Sequence, residues 1–128
     1  MSSLSPFFNP RGVVVVGAST SPEKLGYGAA RNLVYSGYKG AIHFVSQKTG
    51  ELFNRPLYTD LSQVPDPVDL AVLIVPAPAT PETLAACGQH GIRAAIVVAS
   101  GFREAGEEGA ALEAECLEMA RKHGIRMV

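Results

Sequence analysis

Three short stretches carry the residue types that could do chemistry. The first is Gly17-Ala18-Ser19-Thr20-Ser21, which follows the run Val13-Val14-Val15-Val16 and leads through Pro22 and Lys24 to Gly26, Tyr27 and Gly28. A buried strand, a loop of small residues and a helix start would bring spare N–H groups and the positive end of a helix dipole to one place. That arrangement suits a phosphate. The second is Val45-Ser46-Gln47-Lys48, where a lysine stands among hydroxyl and amide neighbours. The third is a pair of strand exits, Val75-Pro76-Ala77-Pro78 and Ala99-Ser100-Gly101-Phe102.

The spacing of the glycines separates this pattern from the dinucleotide fingerprint, which packs three glycines into six residues. Here Gly26 and Gly28 come about two helical turns after Gly17, so the loop is longer. An NAD enzyme usually carries an acid after its second strand to accept bonds from the ribose hydroxyls. Lys48 suits a phosphate on that ribose instead, and both NADP and coenzyme A carry one. Glu51 lies too far along the loop to replace the missing acid. Val75-Pro76-Ala77-Pro78 is stiff and lacks two backbone donors, which suits a slim apolar chain such as pantetheine. Gly101 permits close backbone approach, and Ser100 could donate one hydrogen bond.

Catalytic groupings do not stand out. Ser100 lacks the flanks of a nucleophile elbow and has no evident histidine partner. His43 falls mid-strand, and His90 and His123 fall at helix ends where a cationic ring is favoured. There is no acid pair or metal-ligand spacing. Cys87 and Cys116 read as small buried hydrophobes in a reducing compartment. The domain reads as one that binds and does not itself catalyse.

The elements that must position these stretches follow from pattern. Strands are expected over 12–16, 41–45, 69–75, 93–98 and from 125 onward, with a short edge strand over 56–58. The near-continuous apolar character of 69–75 is that of a central parallel strand covered on both faces. Helices are expected over 27–36, from Pro81 to about His90 with Thr80 as N-cap, and over 107–123, closing on Gly37, Gly91 and Gly124. On the last helix Leu112, Cys116, Met119 and Ala120 share a face. Residues 46–51 read as a loop, and Phe7 and Phe8 as packing the start of the domain. Strands alternating with helices give an α/β fold, a Rossmann-like doubly wound parallel sheet of order 3-2-1-4-5-6. Its ligand belongs at the carboxyl ends of the first and fourth strands. The last strand is cut short, as in a domain taken from a longer chain.

Composition narrows the classes. A chain of 128 residues suffices for one domain with a core, and 47 % hydrophobic residues is too many for a disordered polyelectrolyte. Acids and bases number 12 and 11, so bulk charge does not point to nucleic acid. The N-terminus lacks the pattern of a signal peptide, and no apolar run is long enough to span a membrane. The expected setting is cytoplasmic.

Taken in order, Phe8-Asn9-Pro10, Val16-Gly17-Ala18-Ser19, Gly26-Tyr27, Val45-Ser46-Gln47-Lys48, Asp69-Leu70-Ala71-Val72, Val75-Pro76-Ala77 and Ser100-Gly101-Phe102 resemble a known family. It is the N-terminal CoA-binding domain of the NDP-forming acyl-CoA synthetases, relatives of the succinyl-CoA synthetase alpha subunit. The resemblance implies that Gly17, Ala18, Ser19 and the loop through Lys24 to Gly26 and Tyr27 face the CoA phosphates. It implies that Ser46 and Lys48 lie near the adenosine end, that Val75, Pro76 and Ala77 flank the pantetheine arm, and that Ser100 and Gly101 lie near the thiol. Where the family more often has Asn-Pro, this chain has Ser46-Gln47. The implied partners are CoA or acyl-CoA and the remaining domains or subunit of a parent enzyme. That parent is either an acyl-CoA synthetase or a protein lysine acetyltransferase carrying a synthetase-like region. The residues alone leave an NADP-binding oxidoreductase domain as the alternative.

Overall fold

The computed structural model describes residues 5–98 and 106–128. Among the described residues seven strands form one sheet: β1 (Gly12–Val16), β2 (Ala41–Val45), β3 (Gly50–Leu52), β4 (Arg55–Tyr58), β5 (Leu70–Leu73), β6 (Ala94–Val97) and β7 (Arg126–Met127). Their order is β3-β4-β2-β1-β5-β6-β7. All pair in parallel except β3, which runs antiparallel to β4. With β3 set aside, this is the order expected from the sequence. The helices are α1 (Ser5–Phe8), α2 (Leu25–Tyr35), α3 (Thr80–His90) and α4 (Glu107–His123).

The valine run makes the axis of the core. Val13, Val14, Val15 and Val16 are 3 %, 0 %, 1 % and 8 % exposed, because β1 lies between β2 and β5 and is covered above and below. Each such side chain contributes about 1.5–3 kcal/mol of burial. Val14 and Val16 pack with Leu73, Leu84, Cys87, Cys116 and Ala120 under α3 and α4. Val15 packs with Ile42, Phe44 and Ala30 under α2 on the other face. Helices on opposite faces to either side of β1 are what double winding requires. The crevice therefore opens between the exits of β1 and β5.

Four local expectations change. Residues 50–52 are not loop. They form β3, joined to β4 through Phe53 and Asn54 at φ 50° and 65°, the backbone of a tight two-residue hairpin. The Phe53 ring lies 5.3 Å from Tyr27 and 5.9 Å from Tyr35, which holds the strained turn against α2. Thr80 does not cap α3. It is the first helical residue, after a 3-10 turn over Ala77–Ala79, and its hydroxyl donates to the Pro76 carbonyl oxygen at 3.3 Å. Phe7 packs beside Val13 and Leu70, whereas Phe8 is exposed. Finally, α2 begins at Leu25, two residues before its expected start.

Gly37, Gly91 and Gly124 end the helices in the left-handed region, as read from sequence. Cys87 and Cys116 are free and buried, and burial pushes the Cys87 thiol up to about 12. At the amino ends of the central strands, Arg11 forks onto Asp69 through Nε at 2.9 Å and Nη2 at 2.8 Å, tying the entry of β1 to that of β5.

Candidate functional site

A cleft of about 580 Å³ runs along the carboxyl ends of β5, β1, β2 and β4, within the size range of small-molecule sites. Its middle is the β1 exit. Gly17 adopts φ 101° and has the Ile74 carbonyl directly against it, so a side chain fits there neither conformationally nor sterically. The Gly17 and Ala18 amides both donate to the Val45 carbonyl oxygen, at 2.9 and 3.1 Å. Both residues line the cleft, but their N–H groups hold β1 to β2 and are not spare for a phosphate.

The donors come one step later. Ser19 Oγ accepts from the Ser21 amide at 3.1 Å, which leaves its own hydrogen free to donate. Thr20, Ser21 and Lys24 continue this wall. The N-terminus of α2 has no side-chain cap, and the Lys24 carbonyl oxygen accepts from the Tyr27 and Gly28 amides at 3.2 and 3.4 Å. On the β2 side, Ser46 Oγ accepts from the Lys48 amide at 3.4 Å, and Gln47, Lys48 and Thr49 follow. Among the described residues, the lining holds the ammonium groups of Lys24 and Lys48 and no carboxylate. Glu51 is exposed on β3, opposite Pro56, and does not line the cleft. Ile74, Val75 and Pro76 form the apolar end.

Of the residues singled out from sequence, Gly17, Ala18, Ser19, Lys24, Ser46, Lys48, Val75 and Pro76 come together here. Gly26, Tyr27 and Ala77 do not line the cleft. Gly26 is buried with its Cα against the Gly17 carbonyl, Tyr27 turns to Phe53, and Ala77 is buried below Pro76. Ser100 and Gly101 lie outside the described residues. Sequence reading missed Leu57 and Thr59, which reach the cleft because β4 pairs with β2 and the Ser46 amide donates to the Tyr58 carbonyl at 2.8 Å. The apolar-then-hydroxyl alternation at the end of 55–59 was the available signal.

The histidines stay apart from the cleft. His90 Nε2 lies 2.7 Å from the Val64 carbonyl oxygen. His43 Nε2 is buried without a partner, and burial, then Arg55, hold its pKa below the ordinary histidine value. Among the described residues no group of acids, histidines and cysteines could hold a metal ion. No helix among them is long and apolar enough to cross a membrane.

A doubly wound sheet whose switch-point cleft offers hydroxyls, two ammoniums and an uncapped helix end defines a phosphate-bearing-cofactor domain of the Rossmann-like class. Within that class the chain belongs to the CoA binding domain family, whose model matches residues 11–128. It is 42 % identical to the alpha subunit of an ADP-forming acetate–CoA ligase I of Pyrococcus furiosus over 98 % of this chain and 28 % of the relative. It is 41 % identical to an ADP-forming acetate–CoA ligase II of Archaeoglobus fulgidus over 97 % of this chain and 18 % of the relative. The apo structure of a dinucleotide-forming acetyl-coenzyme A synthetase 1 from Ca. Korarchaeum cryptofilum superposes with a TM-score of 0.90 at 38 % identity, covering 98 % of this chain and 27 % of that one. The domain thus matches the CoA-binding region of NDP-forming acyl-CoA synthetases over nearly its whole length, and spans under a third of these relatives. The NADP alternative finds no support among them.

Proposed function

We propose that this domain binds coenzyme A, free or acylated, along the sheet-edge cleft and presents it to further domains or a subunit of a cytoplasmic NDP-forming acyl-CoA synthetase. The chain itself supplies binding and orientation, and the acyl-transfer chemistry belongs to those other parts. The observation that carries the reading is the placing of Lys24 and Lys48 on the two sides of the β1 exit with no carboxylate among the described lining residues. Coenzyme A needs two anion sites, one for its diphosphate and one for its ribose 3′-phosphate. The loop after β1, with Lys24 and the hydroxyl of Ser19, suits the first. Lys48 suits the second, with Ser46 beside it as a donor. Commitment of the Gly17 and Ala18 amides to Val45 argues against the tight pyrophosphate turn of an NADP site. Val75 and Pro76 give the pantetheine arm a rigid apolar bed.

Calorimetric titration with CoA, dephospho-CoA and NADPH tests the reading. CoA is expected to bind, and loss of the 3′-phosphate to weaken it about tenfold, the scale of one charge-assisted contact. Lys48→Ala should weaken CoA and leave dephospho-CoA nearly unchanged. Tight NADPH binding without CoA heat overturns the proposal, and equal losses for both CoA forms remove Lys48 from the ribose phosphate.

A further inference from the structure

The exit of β4 is built with more care than a passive wall needs. Thr59 lines the cleft directly after β4, and three donors converge on one oxygen beside it. The Gln63 Oε1 atom accepts from the Thr59 amide at 3.1 Å, the Asp60 amide at 3.3 Å and the Thr59 hydroxyl at 3.4 Å. The two backbone donors fix which way the Gln63 amide points. Asp60 completes the box by accepting from the Ser62 amide at 2.9 Å. The 3-10 turn bearing Gln63 is pinned from below by Leu61 and Val64, both buried in the core.

The hydroxyls of the cleft therefore differ in polarity. Ser19 and Ser46 accept from backbone amides and keep a hydrogen for the ligand, as acceptor-only phosphate oxygens require. Thr59 gives its hydrogen to Gln63 and keeps lone pairs for the ligand. It stands on the far side of β2 from the β1 loop, next to the buried apolar side chain of Leu57. A base reaching past Lys48 would meet an apolar support and a hydroxyl acceptor there.

We infer that Thr59, oriented by Gln63, accepts a hydrogen bond from the exocyclic amino group of the ligand's purine, and so selects adenine over a 6-oxo purine. The inference rests on the CoA reading above and deepens it. Thr59 is the contact, and Gln63 is a positioning residue that acts through it. A 6-oxo purine sets a carbonyl oxygen against the Thr59 lone pairs, with no hydrogen between them.

The test titrates the 128-residue chain with CoA and with its hypoxanthine-containing analogue, and follows each variant's thermal melt. The unaltered chain should favour CoA by about tenfold, the scale of one hydrogen bond exchanged for a repulsive contact. Thr59→Val keeps the shape and removes the acceptor. It should weaken CoA about fivefold to tenfold and the analogue by less than about twofold, bringing the ratio near one. Gln63→Leu should lower the ratio by freeing the Thr59 hydrogen to donate. Gln63→Glu keeps an acceptor oxygen and should retain the preference. A Thr59→Val variant that keeps the unaltered ratio, or loses both ligands equally, overturns this inference alone. Absence of CoA binding by the unaltered chain overturns both this inference and the function it rests on.

Discussion

Gly26 and Gly28 lie two positions apart in α2, yet the same substitution should move stability in opposite directions. A methyl group on Gly28 would meet nothing within 4 Å, so Gly28→Ala collects the helix-propensity gain alone, about 0.5–1 kcal/mol. On Gly26 it would overlap the Gly17 carbonyl oxygen and lie 3.0 Å from the Gly17 carbon and 3.2 Å from the Ala18 Cα. These are backbone atoms, and no rotamer change relieves the overlap. Restoring normal van der Waals separation moves α2 off β1 by about 1 Å, against the close packing that buries Ala18 and Ala30. Overpacking of this kind costs about 2–3 kcal/mol against a propensity gain of about 1, a net loss of about 1–2 kcal/mol. At about 3–5 °C per kcal/mol for a domain of this size, Gly28→Ala should melt a few degrees higher and Gly26→Ala a few degrees lower. Differential scanning calorimetry reads both. CoA titration adds a second readout, because Lys24 at the N-terminus of α2 rides with the helix. Gly26→Ala should weaken CoA about tenfold and Gly28→Ala by less than about twofold. If Gly26→Ala melts as high as the unaltered chain, or binds CoA as tightly, the contact with Gly17 does not set the position of α2 and the reasoning fails.

Three further outcomes are expected. The hydrogen bonds from Arg11 hold Asp69 below the usual carboxylate value of 3.8. Its stabilisation is therefore complete above that value and is lost as pH falls through the depressed folded pKa. Melting curves of Asp69→Asn and the unaltered chain should converge at low pH; a gap that persists there refutes the assignment. Burial holds His43 below the ordinary 6.5, so the unfolded chain takes up a proton before the folded one does. Stability should be full above 6.5 and decline below it until the folded histidine titrates, and His43→Leu should flatten that decline. An unchanged slope in the variant would place the titration elsewhere. At the hairpin, Phe53→Ala loses the ring contacts and keeps the left-handed strain, a loss of about 1–2 kcal/mol for a half-buried ring, while Phe53→Gly recovers about 1 kcal/mol of it. Urea midpoints should rank the unaltered chain first, Phe53→Gly second and Phe53→Ala last, and a reversed order of the two variants removes strain from the account.

The order of the parallel strands was legible because it rests on local apolar runs. Val13 to Val16 and the run ending at Val75 can only be central strands, and the helices between them close on left-handed glycines. β3 was not legible, because its cause is distant. Gly50, Glu51 and Leu52 have no strand pattern, and Phe53-Asn54 lacks the glycine that marks a tight hairpin. The turn holds because Tyr27 and Tyr35 on α2 take the Phe53 ring. Thr80 misled for a similar reason: the Ala77–Ala79 turn starts the helical path earlier, so a residue with a capping side chain became a buried helical one.

The same distinction sorts the cleft. Sequence located its glycines but could not tell a binding amide from a structural one, since this depends on where the Val45 carbonyl lies. Once Gly17 and Ala18 are spent on Val45 and Gly26 on packing against Gly17, the glycines set the geometry. In the function proposed above, recognition falls to the ammonium groups of Lys24 and Lys48 and to the hydroxyls of Ser19, Ser46 and Thr59, and the hydrogen bonds of those hydroxyls run to neighbours two to four residues away. Exchanging any of these side chains should change which ligand binds. Placing a side chain on Gly17 or Gly26 should instead displace the elements that frame the cleft and weaken every ligand alike.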